Sequence, residues 1–118
     1  MKNLILLLTS ICLSQISFSQ NVPLDSVSKY EGKIITVCSK VLDTYVSKSK
    51  ESTTFLNFGN QFPNSTFTVV IFDKDLIHFK YNPSEYLKDK IICITGLVKI
   101  YKGKPEIIAT SSEQIIIN

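Results

Sequence analysis

The chain has 118 residues, 44% of them hydrophobic and 19% charged, which suits one globular domain and argues against wholesale disorder. Its 13 cations against 10 acids give a net charge of +3. The pI of 8.7 stays below the value of about 9 that marks a strongly basic nucleic-acid-binding surface. Every cation is a lysine, and the single histidine excludes a multi-histidine metal centre or a histidine-rich catalytic site within one chain.

Residues 1–19 read as a secretory signal peptide. Lys2 supplies the positive start, and Leu4 to Leu13 form an apolar run within the expected ~7–15 residues. Small Ser17 and Ser19 stand at positions −3 and −1 of a cut before Gln20. Ser14, Gln15 and Ser17 interrupt the run before the ~20 apolar residues a spanning helix needs. No membrane span is therefore expected after leader removal, and the product is expected in the periplasm or secreted. An uncleaved anchor is the alternative; a lipoprotein through Cys12 is disfavoured by the bulky Ile11 before it. Removing Lys2 from the 13 cations leaves 12 against 10 acids, a net charge of +2, which does not by itself indicate a polyanion partner. Cys38 and Cys93 remain, and two cysteines in an exported domain are candidates for one disulfide.

Residues 20–29 are polar, contain Pro23, and are expected to be a flexible lead-in to a domain over 30–118. Residues 33–42, rich in β-branched side chains, predict a first long strand. Residues 44–52 read as a loop, 53–58 as a second strand, 59–65 as a turn-rich connector, and 66–72 as a third strand. From Asp73, which can cap, to Leu87 the pattern turns partly helical, and Asn82-Pro83-Ser84 breaks it into one short helix or two turns. Residues 90–101 predict a fourth strand, 102–105 a hairpin turn and 106–110 a fifth strand. Residues 112–117 are a tail able to add an edge strand. The first and fourth strands echo each other, Gly32-Lys33-Ile34-Ile35 against Asp89-Lys90-Ile91-Ile92, and Gly96 in mid-strand marks a bend. Five strands with the helical piece between the third and fourth is the order of the OB-fold. The expected fold class is therefore all-β with one short helix, a closed five-stranded Greek-key barrel.

The stretches Gly32–Val37, Thr54–Gly59, Phe62-Pro63-Asn64, Phe67–Phe72, Thr95–Val98 and Tyr101–Ile108 resemble a family of small exported bacterial OB-fold domains. The resemblance spans residues 30–117. Members are labelled nucleic-acid-binding by their fold, and similar domains stand alone or accompany secreted nucleases. This chain departs from the pattern in placing Cys38 and Ser39 where a glycine-containing strand centre is common.

Alternation assigns Leu56, Phe58, Phe67, Val69 and Ile71 to the interior and Phe55, Asn57, Thr68 and Val70 to the outer face of the second and third strands. In an OB-fold that face takes the ligand, flanked by the loops between strands 1–2 and 4–5. Those loops carry Lys48, Lys50, Tyr101, Lys102 and Lys104. An aromatic surface rimmed by cations suits single-stranded nucleic acid, because the ring face stacks a base and lysine tracks phosphate. Without arginine, binding is expected to be modest and salt-dependent. Asn57 either contacts the ligand or ties down the connector after it through hydrogen bonds.

His78 has no partner motif and is expected on the surface or packed on the helix. Asp73, Asp75, Glu85 and Asp89 suit capping and a solvated face. No GxSxG, HExxH, CxxC or Walker pattern occurs, so the chain is expected to be non-catalytic, with no cofactor and no metal. Cys38 and Cys93 share strand parity on neighbouring strands, which permits a cross-strand disulfide; two separate thiols are the alternative. Two other partner classes stay open. The apolar face of Phe55, Val70 and Phe72, with the Ile115-Ile116-Ile117 tail, could dock an envelope protein. OB-folds also take small ligands or oligosaccharides.

Overall fold

A computed structural model describes residues 20–118; the leader expected at 1–19, with Lys2 and Cys12, lies outside the described residues. Eight strands form there: β1 (Gln20–Asn21), β2 (Ile34–Lys40), β3 (Asp43–Val46), β4 (Thr54–Phe58), β5 (Phe67–Ile71), β6 (Ile91–Tyr101), β7 (Lys104–Ile108) and β8 (Ile115–Ile117). One α-helical turn, α1 (Pro83–Tyr86), and 3-10 turns over Leu24–Tyr30, Asp73–His78 and Ser112–Gln114 complete the fold.

The strands pair in the order β1-β2-β6-β7-β5-β4-β3, with β8 on β6. Only β1–β2 and β5–β7 are parallel. This is an OB-like arrangement, but the ladders form an open path instead of the expected closed ring of five. The first expected strand forms as β2 and bends at Val41 and Leu42, and the start of the stretch expected as a loop continues it as a further strand, β3. The Val41 N–H donates to the Lys90 carbonyl, while the next one, of Leu42, donates to the Asn57 carbonyl. The chain thus leaves β6 and joins β4 within two residues. β6 makes a similar change: Ile91–Leu97 pair with β2, and Val98–Tyr101 with β7. Gly96 sits at this crossing because a Cβ there would lie 2.5 Å from Ile107 Cγ2, so no larger residue fits without displacement. The two strands that echo each other in sequence are direct partners, β2 and β6.

The core is a single apolar cluster. Leu56, Phe58, Phe67, Val69 and Ile71 all face inward and are fully buried, as alternation requires. Phe58 and Phe67 lie directly opposite each other, rings 5.3 Å apart. Full burial of a side chain of this size is worth roughly 1.5–3 kcal/mol. The segment expected as a lead-in is part of the fold instead: β1 pairs with β2, and Val22 and Val27 are buried in the core. Its polar composition concealed two apolar anchors. The tail adds the edge strand β8, with Ile115 inward.

In the helical connector, Asp73 does not cap; Phe72 is the N-cap residue, without a side-chain bond. Asp75 is buried instead of solvated, and its Oδ2 has no hydrogen-bond partner. His78 is exposed, its Nδ1 3.9 Å from Asp75 Oδ1. Cys38 and Cys93 face each other in the β2–β6 register and form a disulfide, beside a Thr36–Thr95 hydroxyl contact of 2.7 Å.

Candidate nucleic-acid interface

The outer face of β3, β4, β5, β7 and β6 is built from two cross-strand rows. Strict alternation puts every second residue outward, and the registers align them. One row runs Asp43, Asn57, Thr68, Glu106, Lys99; the other runs Tyr45, Phe55, Val70, Ile108. The first is polar throughout and the second is apolar apart from one hydroxyl.

Over these rows lies a continuous groove in two lobes. The larger, about 500 Å³, is lined by Phe55, Asn57, Phe62, Pro63, Tyr101, Lys102 and Lys104 among others. The smaller, about 380 Å³, is lined by Val70, Phe72, Lys99 and Ile108. Phe55, Tyr101 and Glu106 belong to both. A further hollow at Glu51, Thr53, Phe72, Asp73 and Lys74 adjoins the smaller lobe at Thr53 and Phe72 and carries none of the residues expected to bind nucleic acid.

The polar row is held by its own bonds. Asn57 Nδ2 donates to Asp43 Oδ1 at 3.0 Å, and Thr68 Oγ1 donates to Asn57 Oδ1 at 3.2 Å. The Ser65 hydroxyl lies 3.0 Å from that of Thr68. Asn57 is fully buried, and its amide bonds the side chains of Asp43 and Thr68, not the backbone of the 59–65 connector. Asp43 Oδ2 also accepts the Phe62 N–H at 3.4 Å, which aims the 59–65 connector over the sheet. Gly59, with φ +86°, lets this connector leave β4; a Cβ there would strike Thr66 Oγ1 at 2.2 Å.

The connector brings Phe62 onto the aromatic row. Phe62 stacks on Tyr45 at 4.7 Å, and Tyr45 stacks on Phe55 at 5.9 Å. Tyr45 and Phe62 remain 38% and 47% exposed, and Tyr101 across the groove 59%. Lys102 and Gly103, both at positive φ, form the two-residue hairpin that joins β6 to β7 in the manner of a type I′ turn. Lys104 Nζ donates to the Pro63 carbonyl, tying hairpin to connector and closing that end of the groove.

Of the residues expected at the site, Phe55, Asn57, Thr68, Tyr101, Lys102 and Lys104 line one groove. Lys48 and Lys50 stand exposed on the β3–β4 loop and do not line it. Val70 belongs to the outer row but is only 3% exposed. The expected apolar docking face is therefore reduced to Phe55 and Phe72, and of the tail only Ile116 is strongly exposed. Phe62, Lys99 and Glu106 line the groove without having been anticipated there, and Tyr45, also unanticipated, stacks on Phe55 and Phe62 beside it. Parity could have found Glu106, which alternates with buried Pro105 and Ile107; Tyr45 lies in what reads as a loop, and Phe62 comes from a connector whose path no periodicity encodes.

Glu106 is half-buried, and burial pushes its carboxyl above the ordinary value, with Lys99 pulling it partly back. Among the described residues there is no cluster of metal-ligating side chains, and no helix is long and apolar enough to cross a membrane.

No family model and no curated protein matches the chain. Among solved structures, it is similar to "a putative aspartyl-tRNA synthetase from Leishmania major Friedlin", at 11% identity and a TM-score of 0.47, covering 91% of this chain and 22% of that one. It is also similar to an aspartyl-tRNA synthetase from Entamoeba histolytica, at 17% identity and a TM-score of 0.45, covering 89% of this chain and 23% of that one. The chain thus spans less than a quarter of either protein.

Proposed function

We propose that the chain is an exported, non-catalytic module that binds single-stranded nucleic acid across the two-row groove. The observation that carries this reading is the aromatic row of Tyr45 and Phe55, extended by Phe62, facing Tyr101 and edged by Lys99, Lys102 and Lys104. A base stacked on such a surface gains ~1–3 kcal/mol whatever its identity. The lysines neutralise phosphate, and counterion release makes that part of the affinity fall with salt. The resemblance to OB-fold domains labelled nucleic-acid-binding supports the same conclusion. Export is supported by the leader pattern at 1–19 and by the Cys38–Cys93 disulfide, a bond that persists in oxidising compartments. The test is fluorescence anisotropy with a labelled single strand and the matching duplex, titrated across salt. Binding to the single strand at low salt, weakened about tenfold in Tyr101→Ala, is the expected result. Absence of binding to any strand at low salt overturns the reading.

A second reading, an envelope protein as partner, has an observation of its own. Ile34 and Leu97, opposite each other on β2 and β6, are 63% and 47% exposed, and Ile116 on β8 is 65% exposed. A co-purifying partner whose binding ignores salt is the mark of that reading.

A further inference from the structure

The polar row raises a question that stacking and phosphate contacts leave unanswered. A groove for a polyanion gains nothing from a carboxylate in its floor, yet Glu106 lines both lobes and, among the described residues, is the only acid that does. Its neighbours along the row are already engaged. Asn57 is spent on Asp43 and Thr68, and Thr68 on Asn57 and Ser65. Glu106 is not: among the described residues no hydrogen bond or ion pair within 4.0 Å occupies its oxygens, and Lys99 acts on it only through charge. Among the described residues it is therefore the one carboxylate lining the groove, and its oxygens are free to take a donor from a ligand.

We propose that Glu106 reads the Watson–Crick edge of a guanine stacked on the aromatic row, so that the groove selects guanine-bearing single strands; this rests on the nucleic-acid reading above. An ionised carboxylate only accepts, through two oxygens side by side. Guanine alone among the common bases presents two adjacent donors on that edge, N1–H and the N2 amino group. Adenine and cytosine present one amino group next to a ring-nitrogen acceptor. Uracil and thymine present one N–H between two carbonyls. Each of these sets a lone pair against a carboxylate oxygen where guanine sets a proton. Lys99, directly opposite Glu106 in the β6–β7 register, supplies a donor on the side where guanine carries its O6 acceptor. Single-stranded bases are read in this way, stacked on an aromatic face and hydrogen-bonded along the edge that pairing leaves free.

The experiment compares labelled thymidine strands of about seven nucleotides, within the range of ~4–16 one OB-fold covers. Each carries one central guanine, hypoxanthine, adenine or cytosine. Hypoxanthine keeps the guanine ring and O6 but lacks the N2 amino group, so it removes half of the proposed contact from the ligand side, with no change to the protein. The guanine strand is expected to bind about tenfold more tightly than the adenine strand, as one good bidentate pair allows, with hypoxanthine between them. In Glu106→Gln the preference is expected to fall to within about twofold, while binding to the all-thymidine strand persists. Equal binding of all four strands by the natural protein overturns the assignment and leaves the nucleic-acid reading standing. So does a guanine preference that ignores the hypoxanthine change or survives in Glu106→Gln. Failure of every strand to bind at low salt brings down both.

Discussion

Tyr45 of β3 and Phe62 of the β4–β5 connector stack with ring centroids 4.7 Å apart and planes 8° from parallel. Neither ring is in the core, and both stay partly exposed. Their contact contributes about 0.5–1.5 kcal/mol beyond buried area, enough to hold the connector over the sheet but small beside the core. Removing either ring should therefore affect ligand binding more than folding. Tyr45→Ala and Phe62→Ala are each expected to weaken single-strand binding about 5- to 10-fold while lowering stability by about 1 kcal/mol or less. Anisotropy and urea denaturation of the same preparations check this. A stability loss with unchanged binding would remove these rings from the interface.

Asn57 predicts the opposite division. It is fully buried, and both ends of its amide are bonded, to Asp43 and to Thr68. Asn57→Ala leaves the partly buried Asp43 Oδ1 without its donor and the Thr68 hydroxyl with Ser65 alone, a loss of ~1–3 kcal/mol. The urea midpoint should drop accordingly with little change in the slope. Binding should weaken only as far as the connector loosens.

The disulfide closes a loop of sequence separation 55 between Cys38 and Cys93. The loop-entropy relation gives about 4 kcal/mol for a closure of that length. Reduction, or paired Cys38→Ser and Cys93→Ser, should lower the thermal midpoint strongly, and intact mass after alkylation under non-reducing conditions should show no free thiol at either position. The β2–β6 ladder and the Thr36–Thr95 contact keep the strands adjacent, so the reduced protein should retain its strand signal in far-ultraviolet circular dichroism at low temperature.

Much of this architecture is legible from alternation. Leu56, Phe58, Phe67, Val69 and Ile71 announce their face because each is flanked by residues of opposite parity. Phe55 and Thr68 follow as the complementary set. What alternation does not carry is curvature. The bend at Val41 and Leu42 leaves no local mark, since both residues suit a continuous strand, and only the need to pair with β6 on one side and β4 on the other breaks it. Tyr45 was lost with that bend, hidden in what reads as a loop. The lead-in misled for another reason: Val22 and Val27 are isolated among polar residues, and isolated apolar residues show no period. Phe62 reached the site through Asp43 and Tyr45, contacts between segments whose proximity is set by the fold and by no nearby sequence signal.

Lys102 and Lys104 differ in what they do before any ligand arrives. Lys104 is engaged with the Pro63 carbonyl, and Lys102 lies 5.4 Å from the centre of the Tyr101 ring. Both are exposed, so neither contributes much to stability. If each neutralises one phosphate, the slope of log affinity against log salt should fall by ~0.7 for each lysine replaced by alanine. Lys48→Ala and Lys50→Ala, on a loop away from the groove, should leave the slope unchanged. Equal effects from all four positions would point to diffuse attraction by net charge instead of a defined path.

Glu106 supplies a prediction that needs no ligand. Its carboxyl is raised above the ordinary value of 4.5, first by burial, with Lys99 acting in the other direction. The folded state therefore holds this proton more tightly than the unfolded chain does. Below the ordinary value the group is neutral in both states, and its favourable contribution is fully present. As pH rises through the folded-state value that contribution is lost, because the folded protein must then keep an ionised carboxylate partly out of water. Glu106→Gln removes the ionisation while keeping the shape. Its urea midpoint should exceed that of the natural protein at pH ~7, and the difference should close as the pH is lowered to ~3.5. A variant less stable than the natural protein at pH ~7 would mean that attraction to Lys99 outweighs burial at this position. Glu106 would then be an ion-pair residue that happens to line the groove, and the case for its reading a base would lose its physical ground.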